Sequence, residues 1–210
     1  MRKLLRVFIV ATVLLSSQIF AAVGCDLNDP DRDVKRLFPD STNYKTMYFS
    51  LNNRGGKLLQ EKIEDRLGDK FTGLYENVDV PYTLYEIYKN NNVIGYIHGV
   101  NQKGHYGGLQ VFLALNKDGI INGFYYQKLT SKEATVLRGK AFTAQFRGLS
   151  LKEFYDFDIN TNQGNSLVMA IKNPAPGAED DFRSTLRAVK KNLILVDEFA
   201  LNNKFLQYFK

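Results

Sequence analysis

The fold is decided by the stretch LQVFLALNKDGIINGFYYQ, residues 109–127. Leu109–Leu115 and Ile120–Gln127 are rich in apolar, aromatic and β-branched residues, a composition typical of strands. The connection between them ends in Asp118-Gly119, a pair that favours the tight turn of a β-hairpin. The stretch therefore predicts two antiparallel strands.

Similar patterns extend outward from this hairpin. Tyr82–Tyr88 and Val93–Val100 have strand composition and are joined by the turn residues 89–92, which predicts a preceding hairpin. Ser166–Ile171 is predicted as a fifth strand. Helical periodicity predicts packing helices over Val34–Phe38, Lys57–Leu67, Gly139–Phe146 and Asp181–Phe199. The expected class is α+β, an antiparallel β-meander of four to five strands with N-terminal and C-terminal helices, in a single domain spanning residues 34–210.

The N-terminus has the pattern of an export signal. Arg2, Lys3 and Arg6 precede the apolar run Val7–Leu15, and small residues follow before residue 25. The run is shorter than the roughly 20 residues that a membrane-spanning helix needs. Residues 1–24 are therefore predicted to be a signal peptide, and the protein is expected outside the cytoplasmic membrane, facing the periplasm or the cell exterior.

The segment Ala22-Val23-Gly24-Cys25 resembles the lipobox of bacterial lipoproteins, although Ala22 stands where leucine is usual. This resemblance implies a lipid on Cys25, which would tether the protein to the membrane. Because Cys25 is the only cysteine, it cannot form a disulfide within the chain. Ordinary cleavage near Ala21 or Gly24 is the alternative and would leave a free thiol. Residues 25–33 are polar apart from Leu27 and are predicted to be the lipidated cysteine and a spacer.

Composition excludes several classes of function. Removal of residues 1–25 takes away three of the 28 Lys and Arg residues and none of the 22 Asp and Glu residues, so the net charge falls from +6 to +3. Because the remaining charges alternate in sign, a nucleic-acid partner is not expected. His98 and His105 are the only histidines, which is too few for ordinary zinc sites, and His98 is predicted to lie on a strand surface. Nucleotide-binding and hydrolase motifs are absent from the sequence.

A glycine-rich loop, Gly104–Gly108, contains His105 and Tyr106 and precedes the predicted strand at Leu109. Its glycines permit close approach of the backbone to a flat ligand. The same composition also suits a bent connection between two strands. Spacing alone leaves these two interpretations open.

Longer patterns around this loop resemble a known family, the FMN-binding domain shared by the G subunit of the Rnf electron-transport complex and the C subunit of the sodium-translocating NADH:quinone reductase. The resemblance covers about residues 80 to 150. It is carried by Gly95–Gly99, Gly107–Gly123, Glu133–Gly139 and Phe142–Gly148. Those proteins are membrane-tethered and face outward.

The family resemblance implies an FMN site. It implies that Tyr106, Gly107 and Gly108 line the flavin ring and that Glu133 and Thr135 flank it. Phosphate would lie near Gly177, Ala178, Ser184 and Thr185. For Ser184 and Thr185 the favoured interpretation is simple N-capping of a helix. In the family, a threonine of an S-G-A-T motif carries the phosphate; here Pro176-Gly177-Ala178-Glu179 has glutamate in that place.

These departures imply non-covalent binding of FMN, or its loss. The expected function is electron transfer by a membrane-tethered flavin domain, a component of a redox system rather than a stand-alone enzyme. The alternative is a flavin-free interaction or assembly subunit of an exported redox complex. In either case the expected partners are the membrane, through the lipid, and membrane redox subunits.

Overall fold

A computed structural model describes residues 24–209, so most of the predicted signal peptide lies outside the described residues. The class is α+β, as predicted: one antiparallel sheet with strand order β1-β2-β3-β4-β5. The strands are β1 Asn43–Phe49, β2 Tyr82–Lys89, β3 Asn92–Lys103, β4 Gly108–Asn116 and β5 Ile121–Leu129. The helices are α1 Pro30–Leu37, α2 Leu51–Arg54, α3 Gly56–Leu67, α4 Ala134–Leu137, α5 Lys140–Thr143, α6 Leu151–Phe154, α7 Ser166–Met169 and α8 Glu179–Phe199, with short 3₁₀ turns at Ala144–Phe146, Pro176–Ala178 and Leu206–Tyr208.

The hairpin of β4 and β5 has the predicted turn. The Asn116 side chain accepts hydrogen bonds from the backbone N–H groups of Asp118, at 2.9 Å, and Ile120, at 3.0 Å. Gly119 has φ +85°, a conformation that favours glycine. Local turn chemistry therefore sets the register of the two strands.

One face of the sheet is covered by the long helix α8, together with α3 and the shorter helices. Leu186, Val189, Leu193 and Val196 of α8 are buried, which confirms the predicted inward face. The aromatic rings of Phe124 and Phe146 stack at 4.5 Å in the same core. Burial of this apolar surface is the main source of stability for the domain.

The opposite face is covered by the N-terminal segment, so the predicted spacer over residues 25–33 is wrong. Helix α1 begins at Pro30, and Asp29 caps it by accepting a hydrogen bond from the backbone N–H of Arg32. Leu27 and Val34 are buried against the sheet. The acidic residues that make this segment look like a linker instead form the helix cap and first turn.

Two other sequence predictions need correction. Ser166–Ile171 is not a strand, because Asn165 caps a short helix there by accepting from the backbone N–H of Leu167 at 2.9 Å. The fifth strand is instead β1, which pairs with β2 along the sheet edge. The predicted helix over Gly139–Phe146 is divided into α5 and a 3₁₀ turn.

Within residues 24–209, none of the helices has the length and apolar composition needed to cross a bilayer.

Candidate functional site

Three segments that are distant in the sequence meet at one end of the sheet. They are the glycine-rich loop 104–108, the loop 130–133 after β5, and the start of α8 with the turn before it. The glycine-rich loop is closed by a hydrogen bond of 2.7 Å from the Gly104 N–H to the Gly107 carbonyl. Gly107 has φ +153°, a backbone conformation that strains other residues.

The glycine-rich loop is fixed to the start of α8 by histidine and aspartate. The backbone N–H of His105 donates to Asp181 at 2.8 Å, and its ring Nδ1 lies 2.9 Å from an oxygen of Asp180. A Cβ atom at Gly104 would stand 2.6 Å from Asp181 Oδ1. A larger residue at position 104 would therefore displace the Asp181 carboxylate from this contact.

The loop after β5 approaches the glycine-rich loop from the other side. The Thr130 N–H donates to the Gly108 carbonyl at 3.2 Å, and a Cβ at Gly107 would stand 2.9 Å from Thr130 Cγ2. Lys132 Nζ lies 5.0 Å from the centre of the Tyr106 ring, within the range of a cation–π interaction. These contacts therefore fix the glycine-rich loop against the loop after β5.

Glu133 and Gly177 are also brought together. A Cβ atom at Gly177 would lie 3.0 Å from Glu133 Oε1, although the two residues are 44 positions apart. Ala178 is buried next to them and presents no surface to a ligand. Thr135 lies on the exposed side of α4.

A cavity of about 600 Å³ opens beside the glycine-rich loop. Its walls are residues 72–75 and 103–107. The volume lies within the range of roughly 300 to 1,000 Å³ that is usual for small-molecule sites. The exposed fractions of Leu74 and Tyr106 are 55% and 41%, so apolar surface is available at this cavity.

The first turn of α8 is strongly acidic. It contains Glu179, Asp180 and Asp181. Glu179 accepts hydrogen bonds from Arg183 and from the Asn173 side chain, each at 3.0 Å. Carboxylates at a helix N-terminus are favourable for the helix, but they oppose binding of an anion at the same place.

Ser184 and Thr185 do not lie at the start of α8, because the helix begins at Glu179. Thr185 is fully buried. Its hydroxyl donates to the Asp181 carbonyl at 2.7 Å and lies 2.6 Å from the hydroxyl of Tyr126. The N-capping interpretation is therefore wrong, and the Thr185 hydroxyl is used inside the fold.

A buried ionic network that local sequence patterns do not indicate lies behind the cavity. Arg187 donates to Glu76 at 2.5 Å, to Asp69 at 2.6 Å and to Gln102 at 2.7 Å. Lys191 donates to Glu76 at 2.6 Å. Burial lowers the pKa of Lys191 to about 8. Despite its own burial, Glu76 has a lowered pKa because Lys191 and Arg187 stabilise the carboxylate.

This network positions one wall of the cavity. Glu76 is the residue directly after the wall segment 72–75, and it also accepts a hydrogen bond from the Thr72 N–H at 3.0 Å. Arg187 and Lys191 are four residues apart on α8, so they project from the same face. That spacing was the only feature of the sequence that could have indicated a shared role for the two residues. It gave no indication of their acidic partner Glu76, which is more than 110 positions away.

His98 is buried and not on a strand surface, so that prediction is wrong. Its ring Nδ1 donates to Asn192 Oδ1 at 2.9 Å. The Asn192 amide nitrogen donates to the carbonyls of His98, at 3.0 Å, and Val111, at 3.2 Å. Burial lowers the pKa of His98 to about 4. The imidazole is thus a neutral structural group between α8 and the sheet.

Cys25 is buried, with an exposed fraction of 2%, in the N-terminal layer, the segment of residues 25–38 that covers one face of the sheet. It forms a β-bridge with Tyr82, and the neighbouring Asp26 accepts a hydrogen bond from Thr83. Burial, followed by the charge of Asp26, raises the pKa of the thiol. Over residues 24–209 there is no group of three His, Cys, Asp or Glu side chains placed to hold a metal ion.

Comparison with known proteins gives no assignment: no protein-family model matches the chain, and no curated protein matches it either.

Proposed function

We propose that this chain is a membrane-tethered flavin domain that binds the ring of FMN non-covalently beside the glycine-rich loop and takes part in electron transfer outside the cytoplasmic membrane. One observation carries the proposal. Among the residues that the family resemblance assigns to the FMN site, Tyr106, Gly107, Gly108, Glu133 and Gly177 lie on three segments that meet at one end of the sheet. Of these five residues, Tyr106 and Gly107 line a cavity of about 600 Å³ at that end.

The residues at the ring end of the site fit a flavin. Tyr106 and Leu74 offer apolar surface, and the glycines allow the backbone to approach a flat molecule. Flavin, when bound, supplies the electron-accepting and electron-donating chemistry. The chain itself supplies orientation, a partly apolar wall, and the positive charge of Lys132 close to Tyr106.

The phosphate end does not fit covalent attachment. An ester to phosphate needs a hydroxyl, and position 179 has a carboxylate. Thr185 is enclosed by Tyr126 and the Asp181 carbonyl, so it cannot replace the missing threonine without opening the helix. Binding of the ring is therefore proposed without a covalent bond.

The flavin-free interaction subunit remains the second candidate, and the acidic first turn of α8 favours it. Three carboxylates stand where a phosphate would approach the helix. An exposed leucine and an exposed tyrosine, Leu74 and Tyr106, lie at the same cavity. Such a surface suits a basic protein partner as well as a cofactor.

Two spectroscopic measurements test the proposal. Protein purified from its native membrane is expected to show flavin absorption bands that leave the chain on denaturation. The same protein, stripped of cofactor, is titrated with riboflavin and with FMN by fluorescence quenching. Because the phosphate end is unfavourable, riboflavin should bind at least as tightly as FMN.

A matched pair of variants locates the binding. Tyr106→Ala should weaken riboflavin binding about tenfold or more, since aromatic packing contributes on the order of 1 kcal/mol beyond area burial. Tyr48→Ala removes an exposed tyrosine of β1 and should change nothing. A colourless preparation that takes up neither ligand would favour the interaction subunit. Bands that remain on the denatured chain would contradict non-covalent binding.

The tether is tested separately. Cys25→Ala is expected to leave export intact and to move the protein from the membrane to the soluble fraction, because acylation requires the thiol. Acylation would also require residue 25 to leave its buried place beside Tyr82. Unchanged membrane fractionation of the variant after a salt wash would contradict the lipid anchor.

A further inference from the structure

A second cavity, of about 500 Å³, lies between helix α1 and strand β5, and none of the residues assigned to the flavin lines it. Its distinctive feature is arginine. Arg32 and Arg36 come from α1, and Arg138 comes from the end of α4. Three arginines from two separate parts of the fold therefore line one cavity.

Their placement follows from local structure. Arg32 and Arg36 are four residues apart and so project from the same side of α1. Arg138 is fixed from the other side because its Nη1 donates a hydrogen bond to the Tyr126 carbonyl of β5. The guanidinium carbon of Arg36 lies 4.6 Å from the centre of the Tyr125 ring, which restricts that side chain as well.

The cavity keeps an excess of positive charge. Asp33 is the acidic residue of its lining. Its carboxylate lies 3.2 Å from Arg36 and 3.8 Å from Arg32. Asp29 stands 3.8 Å from Arg32 Nε and neutralises part of that charge. Even with both carboxylates counted against three arginines, one positive charge is left.

The arginines combine exposure with fixed neighbours. The side chain of Arg32 is 68% exposed and that of Arg36 is 48% exposed, so a ligand can reach them. At the cavity wall, the Tyr125 hydroxyl is shielded from solvent and has no hydrogen-bond partner within the part of the chain that the structure describes. A phenol O–H is a donor that an anion can use.

We propose that Arg32, Arg36 and Arg138 form a binding site for a phosphate group, distinct from the flavin site. Planar guanidinium groups match the oxygens of phosphate and can bind them through two parallel hydrogen bonds. A soluble phosphate ester and the headgroup of an anionic phospholipid share this chemistry. The proposal does not depend on flavin binding.

The test begins with inorganic phosphate. The purified processed chain is titrated at constant ionic strength, with chloride as the balancing anion, and the arginine side-chain resonances are followed by NMR. Saturable shifts of Arg32, Arg36 and Arg138 are expected. Arg138→Gln should weaken the binding about tenfold or more, because it removes a charged hydrogen-bond donor.

A matched control and a second variant keep the result interpretable. Arg147→Gln removes an exposed arginine that does not line the cavity and should leave phosphate affinity unchanged. Arg32→Gln, at a position whose side chain is 68% exposed, should weaken binding without disturbing the fold. Phosphate shifts that do not saturate, or equal affinities in all four proteins, would overturn the proposal.

Vesicles distinguish the two sources of phosphate. The Cys25→Ala chain, which carries no lipid, is floated with vesicles of phosphatidylglycerol and with vesicles of phosphatidylcholine. Flotation with phosphatidylglycerol alone, lost in Arg138→Gln, identifies a lipid headgroup as the ligand. Saturable phosphate binding without flotation identifies a soluble phosphate ester. If Arg138→Gln leaves flotation unchanged and no phosphate binding is detected, the proposed phosphate site is contradicted.

Discussion

The first turn of α8 and the interior of the same helix are both polar, but they use charge in opposite ways. Glu179 and Asp180 are exposed and interact with exposed partners, Arg183 and His105. Arg187 and Lys191, two and three turns later, are buried and bind the buried Glu76. The exposed turn faces the glycine-rich loop, whereas the interior residues hold the domain together.

Burial therefore distinguishes the charged groups that stabilise the fold from those that can act on a ligand. Buried ions cannot lose a partner without leaving an uncompensated charge in a medium that solvates it poorly. Exposed ions lose little, because water replaces the partner. Substitutions in the interior should therefore change stability, and substitutions in the first turn should change binding.

The largest expected effect is in the interior. Arg187→Met should destabilise the protein by about 3 kcal/mol or more, because Glu76 and Asp69 lose a buried partner. Urea unfolding of the purified chain measures this change. Arg183→Met, one turn earlier, removes only an exposed pair with Glu179 and should cost about 0.5 kcal/mol or less. Similar losses of unfolding free energy in the two variants would contradict the distinction between buried and exposed charges.

The next effect concerns pH and the buried histidine, His98. The pKa of His98 is lowered to about 4 in the folded protein, below an ordinary value of about 6.5, so the unfolded chain binds more protons between these values. Stability should therefore fall as pH falls, by about 1.6 kcal/mol between pH 6.5 and 5.0. Urea unfolding at the two pH values measures the change.

A variant of His98 assigns this pH dependence. His98→Gln should lower stability at pH 6.5 but should remove most of the dependence between pH 6.5 and 5.0. A slope that survives in His98→Gln would contradict the role given to the buried imidazole.

The smallest of the three effects is at the first turn and appears in binding. Glu179→Thr should tighten FMN binding about tenfold, which corresponds to about 1.4 kcal/mol, because it removes a negative charge from the vicinity of the phosphate. Riboflavin has no phosphate and serves as the control ligand, with unchanged affinity expected. Equal FMN affinities of variant and wild type would show that residues 176–179 are only a turn before α8.

The parts of the fold that the sequence predicts are those fixed by interactions between residues close together in the chain. The strands β2 to β5 and the helices α3 and α8 carry strong local signals and were predicted close to their observed positions. Strand β1 was missed because it is an edge strand with mostly exposed or half-exposed residues. Ser166–Ile171 has an apolar run typical of a strand, but the adjacent Asn165 caps a helix.

At the candidate site, too, interactions between residues distant in the chain were not predicted from local patterns. The convergence of Tyr106, Glu133 and Gly177 was implied by the family resemblance, not by their spacing, and the structure brings these residues to one end of the sheet. The buried Lys191 was missed because lysine ordinarily lies on the surface. Its partners on distant segments, the Glu76 carboxylate and the Asn101 carbonyl, account for its place in the core.

The N-terminal layer has a consequence for how the domain would sit at a membrane. Leu27 is buried only two residues after Cys25, and an extended chain reaches about 3.3 to 3.6 Å per residue. A lipid on residue 25 would thus be joined to the core by no more than about 7 Å of chain. Such a short tether would hold the face of the sheet that Leu27 covers close to the bilayer.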